Sequence, residues 1–474
     1  MSPRHSTVIS GELSLSRNKS PLETILHRLP AGLVAAHRLA ELRHNRFRNP
    51  ASLASRNLRR FRRLVLDLLT KSPYYAKIVK ERGIDPNSCS VSDFPPLTKG
   101  LLLQHFDDIV TDKRVTKAEV EEFLSRSRNP LELFKDDFFV VHTSGSSGQI
   151  APFVWHKMDW LRGLINLSRA VPTGISRKLA FVGAVDGHYA GVTMSQSGAR
   201  GPLWWTSRVK AFDIRKPRPE LVAELNAYRP VVLTAYSTAL RDLALAADAG
   251  RLKICPRTIV SAGEPLFADD RELIESVFGV PVTNVYAASE HMIIGIGLPG
   301  LGGMVLQEDD LIIEPRADHT LISNLLNKTL PLIRYRMDDV LLPLDRRAAR
   351  WPAYRMIGEV AGRREYTPSF LNEAGQLDTI HPIVFVEFFV QGLEAFQIVI
   401  HDATSFTFLA VIRKNRAQSE TIADIRGRLN EVLATKHMRN VTYKVEVVDH
   451  LPVDELTGKF QLIRTSPSEA RAKL

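Results

Sequence analysis

Cysteine is nearly absent: Cys89 and Cys255 stand alone in 474 residues. With no second pair, neither a disulfide framework nor a thiolate zinc cluster can be assembled, and a reducing cytoplasm is the expected setting. Long apolar runs are missing as well. No stretch reaches the roughly eighteen residues that span a bilayer, and Met1 to Arg17 contains no apolar core of signal-peptide length, so a soluble chain without a membrane span is expected. Internal repeats and low-complexity tracts are lacking, which excludes solenoids and fibrous arrays. Acidic residues are locally scarce too: between Arg38 and Arg63, Glu41 is the only carboxylate.

That scarcity contributes to an overall charge of +11, from 63 Lys+Arg against 52 Asp+Glu. Such an excess invites nucleic acid or anionic lipid as a partner. Yet Leu58, Phe61, Val65 and Leu68 recur at helical spacing, with Arg59, Arg60, Arg62 and Arg63 between them. This pattern is the solvated face of a packed helix, and no nucleic-acid partner is expected. Charged residues at 24% and hydrophobic ones at 44% describe a folded globular protein. Its length exceeds what one core supports, so two or three domains follow.

Three zones can be read along the chain. Residues from about 20 to 125 are leucine- and arginine-rich with helical periodicity, broken at Ser72-Pro73 and Pro95-Pro96. From about 138 to 330, short apolar runs alternate with helical stretches, as in a sheet covered by helices. Val231 to Ala235, Thr258 to Val260 and Val282 to Tyr286 read as strands, with helices at Ser237 to Ala249 and Asp269 to Phe278 between them. Two such crossovers predict a parallel sheet whose ligand crevice lies beyond the carboxyl ends of the strands, where Ser261 to Leu266 and Ala287 to Glu290 fall. Beyond Gly362, a strand pair at Phe396 to Ile400 and Phe406 to Ile412, a helix from Glu420 to Lys436 and a strand at Thr442 to Val448 make a small α+β unit. The expected fold is α/β, a large multi-layer N-terminal domain with helix-covered sheets hinged to a small α+β C-terminal domain. Residues 1–125 are expected to form a helical segment packed on the large domain, 126–361 the core of that domain, and 362–474 the small mobile domain.

After the apolar run Phe138 to Val141 comes His142-Thr143-Ser144-Gly145-Ser146-Ser147-Gly148. Small residues let backbone N–H groups approach an anion, and each hydroxyl can donate to a phosphate oxygen. No Lys-Ser or Lys-Thr follows the second glycine, so this is not the loop of a P-loop kinase. On this segment alone, a plain turn and a phosphate cradle both remain open.

Four other segments accompany it in order: Ser261-Ala262-Gly263-Glu264-Pro265, Tyr286-Ala287-Ala288-Ser289-Glu290, Leu330 to Asp339 ending in Arg334-Tyr335-Arg336-Met337-Asp338-Asp339, and Gly362-Arg363. With the loop they resemble the adenylate-forming (acyl-CoA synthetase, AMP-binding) superfamily, and its phenylacetate-coenzyme A ligase-like branch most. Ser72-Pro73-Tyr74-Tyr75, Gly83-Ile84 and Leu97-Thr98-Lys99 are similar to that branch's opening helical segment, and Leu451-Pro452 with Thr457-Gly458-Lys459 to the superfamily's terminal lysine motif. The likeness runs from about residue 55 to 465.

The resemblance implies ATP-dependent activation of a carboxylic acid, aromatic by branch, to an acyl-adenylate. Transfer to a thiol follows, that of coenzyme A or a carrier protein. Thr143, Ser144, Gly145, Ser146, Ser147 and Gly148 would hold the phosphates, and Glu290 would ligate Mg²⁺. Tyr286 would face the adenine, with Gly263, Glu264 and Pro265 on the other side of the base, and Asp339 would accept the ribose hydroxyls. Arg363 at the hinge would reach phosphate or ribose, and Lys459 would set a mobile positive charge on the reacting oxygens. His188, Tyr189 and Ala287 would line the acyl pocket, with core packing the equal alternative for the histidine. Three departures stand out. Gln149-Ile150-Ala151-Pro152 replaces the superfamily's basic residue after the loop, Ala287 replaces a glycine, and Asp338 replaces another beside the ribose aspartate. Transfer to an amine or hydroxyl, and a non-catalytic nucleotide- or acyl-binding protein, remain alternatives.

Overall fold

The computed structural model describes residues 21–143, 151–170, 177–200, 207–358, 360, 367–381, 384–385, 388, 390–413, 417–452 and 462–466. Its first layer is helical: α1 (Pro21–Asn45), α2 (Pro50–Lys71), α3 (Pro73–Arg82), α4 (Lys99–Gln104), α5 (Phe106–Ile109) and α6 (Lys117–Arg126). Helix α2 starts where Asn49 accepts the Ser52 amide at 2.7 Å, with Pro50 in the first turn. It buries Leu53, Phe61, Leu64, Val65 and Leu68 along one stripe. Its arginines divide rather than forming one solvated face. Arg60 reaches the Asp310 carboxylate at 3.0 Å and Arg62 the backbone carbonyls of Ser88 and Cys89 at 2.6 and 2.9 Å, while Arg59 and Arg63 are exposed.

The strands β1 (Phe138–Thr143) and β2 (Ala151–His156) form an antiparallel pair followed by α7 (Lys157–Ile165). Next come β3 (Arg177–Gly183), α8 (Ala190–Arg200), β4 (Ser207–Asp213), α9 (Arg218–Tyr228), β5 (Val232–Ala235), α10 (Ser237–Asp248), β6 (Thr258–Ala262), α11 (Ala268–Phe278), β7 (Val282–Ala288), β8 (Met292–Gly297) and β9 (Met304–Leu306). Strands β10 (Leu311–Pro315), β11 (Thr320–Asn324) and β12 (Tyr335–Met337) form a separate sheet. β13 (Pro343–Leu344) and β14 (Met356–Ile357) return to the large one, whose order is β13-β14-β9-β8-β7-β6-β5-β3-β4. β4, β3, β5, β6 and β7 run parallel, as the two crossovers predicted, and β8 turns the sheet antiparallel. The alternation of buried apolar strands with helices ended by Gly250 and Gly279 explains why this part was readable: Gly279 takes the left-handed conformation at φ +65 that closes α11.

The C-terminal unit contains the hairpin β15 (Ser369–Leu371) and β16 (Leu377–Thr379). It continues with β17 (Leu393–Asp402), β18 (Ser405–Ile412), helix α12 (Gln418–Thr435), β19 (Thr442–Val447) and β20 (Ile463–Thr465). β17 and β18 pair antiparallel, with β19 and β20 added parallel on the outer edges. Phe396 and Phe408 stack at 5.0 Å in its centre. This apolar core is continuous with the α9–α11 layer, one cluster running from Leu221, Leu240 and Ile274 to Phe370, Phe396 and Leu429.

Candidate active site

The motif Tyr286 to Glu290 occupies the carboxyl end of β7 and the tight reversal into β8. The pairing slips between Tyr286 and Ala287, and the turn closes with His291 N donating to Ala288 O at 3.2 Å. Buried groups fasten it: Trp155 Nε1 donates to Ser289 O at 3.3 Å, Ser289 Oγ to His142 O at 3.3 Å, and Asn324 Nδ2 to Glu290 O at 3.4 Å. The last residues of β1 and the Glu290 turn are thereby held side by side. Glu290 is buried, and its carboxyl is pushed up to about 6 by loss of water, opposed by its own backbone N–H and by the charge of Lys99. Among the described residues it has no cation at salt-bridge distance. Next to it, the Thr143 hydroxyl is buried with no hydrogen-bond partner among the described residues.

Asp339 follows β12. Tyr286 donates its hydroxyl to Asp339 Oδ2 at 2.8 Å, and Thr320 Oγ1 donates to Asp339 O at 2.8 Å. Burial raises both ionisations, that of the tyrosine further because of the adjacent carboxylate. On the same strand, Leu97 bridges parallel to Tyr335: its N–H donates to Arg334 O at 3.0 Å, and its carbonyl accepts from Arg336 N at 2.9 Å. This clasp brings Lys99, at the start of α4, near Asp338 and Glu290. Half-buried Lys99 is pulled down by desolvation, with Glu290 and Asp338 supporting its charge. Asp338 itself is 82% exposed, and Arg336 Nε lies 3.5 Å from it, so its extra negative charge is largely given to solvent.

Gly263-Glu264-Pro265 lies beyond the carboxyl end of β6. Gly263 has φ +84, and a Cβ there would sit 2.9 Å from the Tyr236 ring, so glycine is required on both counts. Glu264 accepts from Thr238 N at 3.1 Å and Thr238 Oγ1 at 2.7 Å, covering the first turn of α10, where Tyr236 offers no side-chain cap. His381 of the C-terminal unit approaches the same carboxylate at 3.5 Å.

On the far side of β1 lies a cavity of about 480 Å³ walled by His142, His188, Tyr189, Asp186 and, from α12, Arg428 and Glu431. His142 N donates to His188 O at 3.2 Å, which ties the two walls together. Burial pushes His142 down to about 3 and His188 to about 4, so both rings are neutral at pH 7. Ser127 Oγ lies 2.9 Å from His188 Nε2 and donates to Glu132 at 2.5 Å. Asp186 holds Arg128, Arg215 and Arg428 at 3.2, 3.3 and 3.3 Å, and Arg428 also reaches the Tyr189 hydroxyl at 3.3 Å.

Comparison with known proteins agrees on the architecture. No family model matches the chain. Protein CapK of Staphylococcus aureus is 21% identical over 420 residues, 80% of this chain and 82% of CapK. The structure overlays 2-hydroxyisobutyryl-CoA ligase in complex with 2-HIB-AMP and CoA in the thioesterification state. That overlay has TM-score 0.55 and 18% identity, covering 89% of this chain and 92% of that one. The postadenylation state of the same ligase with R3-HIB-AMP gives 0.53 and 19%, over 89% and 91%. The fold is that of the adenylate-forming ligases.

Within this adenylate-forming fold, Thr143, Tyr286, Ala287, Glu290 and Asp339 gather around the end of the parallel sheet. Gly263 to Pro265 stands at the carboxyl end of β6, the strand beside β7, where Ala262 pairs with Val285. His188 and Tyr189 wall the neighbouring cavity, which Ala287 does not line. Ser144 to Gly148, Arg363 and Lys459 lie outside the described residues. Lys99 is the charged group whose place in the site was not anticipated from sequence. Its signal, Leu97-Thr98-Lys99 after a double proline, marked a helix start, but nothing local announces that Leu97 pairs with a strand more than two hundred residues later.

Proposed function

We propose that this protein activates a carboxylic acid with MgATP to give an acyl-adenylate and pyrophosphate, then passes the acyl group to a thiol, that of coenzyme A first. The observation that carries this is Glu290: a buried carboxylate raised to about 6, with Lys99 as its nearby cation, beside the Tyr286–Asp339 pair. A hard carboxylate with no cation at salt-bridge distance among the described residues fits Mg²⁺, which uses one or two carboxylates together with substrate phosphates rather than a full protein cage. No cluster of three metal-ligating side chains exists among the described residues, in keeping with that mode. When bound, the metal would neutralise charge on the departing pyrophosphate.

The chain's own groups supply the rest. The substrate carboxylate oxygen attacks the α-phosphorus while the bond to the β-phosphate oxygen breaks. Thr143, whose hydroxyl has no partner among the described residues, and Ser144 to Gly148 donate to the phosphates. Lys99 takes the place of the basic residue lacking after Gly148, adding a positive charge from α4. Asp339 accepts from the ribose with the oxygen that Tyr286 leaves open, and the Tyr286 ring borders the base. Glu264 is committed to α10, so Gly263-Glu264-Pro265 would meet the base through backbone. The cavity with neutral His142 and His188 takes the acyl portion, while Arg363 and Lys459 assist phosphate and transfer steps as the resemblance implies.

The test is acid-dependent pyrophosphate–ATP exchange across aryl, fatty and amino acids. Wild type is expected to exchange with at least one class, Glu290→Gln to lose about a hundredfold, and Lys99→Met about tenfold or more. Unchanged exchange in both variants removes these assignments, and MgATP binding by calorimetry without exchange identifies a non-catalytic binder. Coenzyme A consumption, set against adenylate trapped only by hydroxylamine, separates a thioester ligase from an amide- or ester-forming one.

A further inference from the structure

The arginines of α2 that the packing does not consume converge on a second cavity, of about 450 Å³, between α1, α2, α7 and the segment after β11. Some of its cations are spoken for. Arg56 pairs with Glu41, Arg60 with Asp310, and Arg48 donates to Asn45 Oδ1 at 3.0 Å and Ser52 Oγ at 3.1 Å. Four others are not: Arg59, Arg63, Arg162 and Lys328 line the cavity with no side-chain partner at hydrogen-bond or salt-bridge distance among the described residues. Against them stand Asp67, exposed, and Asp159, half-buried, whose carboxyl is raised by burial and which accepts the Lys328 backbone N–H at 3.4 Å.

We infer that this cavity is an anion site for a phosphate-bearing small molecule or lipid headgroup, separate from the nucleotide site. Like charges facing one concavity repel each other, and apolar walls such as Leu64 and Leu326 focus their field, so an anion seated there relieves a standing cost. Guanidinium forks match phosphate oxygens in pairs, and several such groups fit linked phosphates better than a single carboxylate. The volume falls in the range of small-molecule sites, roughly 300–1,000 Å³. A nucleic acid is disfavoured because the cations converge on a hollow that also contains Glu41, Asp67 and Asp159, whereas a strand requires a basic track. One chemistry has two sources here, a soluble phosphate ester and a phospholipid headgroup.

Phenylglyoxal modification of the full-length protein, mapped by peptide mass spectrometry, reads the site directly. Inorganic pyrophosphate, phosphatidylglycerol vesicles and phosphatidylcholine vesicles are compared at one ionic strength. Modification of Arg59, Arg63 and Arg162 is expected to slow about tenfold with pyrophosphate or phosphatidylglycerol. Protection by pyrophosphate identifies a soluble phosphate ligand, and protection by phosphatidylglycerol alone a headgroup. In R59Q/R63Q, about tenfold more of the same probe is needed to protect Arg162, with pyrophosphate–ATP exchange unchanged. Equal modification rates under all conditions overturn the site, as does protection of Arg162 that survives R59Q/R63Q undiminished or is matched by chloride alone. Failure of the adenylation reading leaves these labelling rates unaffected.

Discussion

Glu290 and Asp310 are both acidic side chains removed from water, and their environments drive them in opposite directions. Asp310 sits between Arg38, Arg60 at 3.0 Å and Asn166 at 3.3 Å, and these partners pull it down to about 2. Glu290 has no such enclosure and is pushed up to about 6. The neighbouring Asp309 extends the first pattern, with Arg169 at 2.7 Å, Asn45 at 2.7 Å and the Tyr354 hydroxyl at 3.0 Å. One region spends its charge holding α1 and α2 to the body of the protein. The other keeps a buried carboxylate with no cation at salt-bridge distance among the described residues.

The largest way to break this comparison is Asp310→Ala. Arg38, 1% exposed, would be left without its buried partner, and a loss of about 3–5 kcal/mol in urea-denaturation stability is expected. A variant within about 1 kcal/mol of wild type would show that the network is not structural. Glu290→Gln should go the other way. The Glu290 carboxyl is higher when folded, about 6 against 4.5, so its ionisation penalty is absent below pH 4.5, grows to pH 6 and is complete above it. At pH 8 without ligand, Glu290→Gln is expected to be more stable than wild type by about 2 kcal/mol, with the gain vanishing at pH 4.5. A pH-independent difference between the two proteins would contradict it. The smallest effect is Tyr286→Phe, which removes one bond to Asp339 and should cost at most about 1 kcal/mol in the same denaturation series while weakening nucleotide binding measurably by calorimetry.

Much of the architecture was legible in sequence, because its signals are local. The helix–strand alternation from Val231 to Tyr286 appears with its predicted order and direction, and so do β17, β18 and α12. The fall of Ser261 to Leu266 and Ala287 to Glu290 at carboxyl strand ends followed from the two crossovers. What was not legible depends on pairing across the chain. Arg60 looked like any solvated arginine, since its partner Asp310 carries no mark in sequence. The same holds for Lys99, and for Glu264, whose carboxylate is drawn to the start of α10 by Thr238. Periodicity announces which face of a helix is covered but not which remote acid waits behind it.

The clasp of Leu97 on β12 has a consequence for how this protein can be taken apart. Cutting near residue 125 looks clean on the linear map, between a helical leader and the strand-rich body that follows it. Yet the excised piece would take with it Lys99 and the hydrogen bonds flanking Tyr335, leaving β12 with an open edge. Chimaeras that exchange the leader among related proteins therefore also change the surroundings of Glu290 and Asp338, unless the lysine is transplanted together with its docking strand.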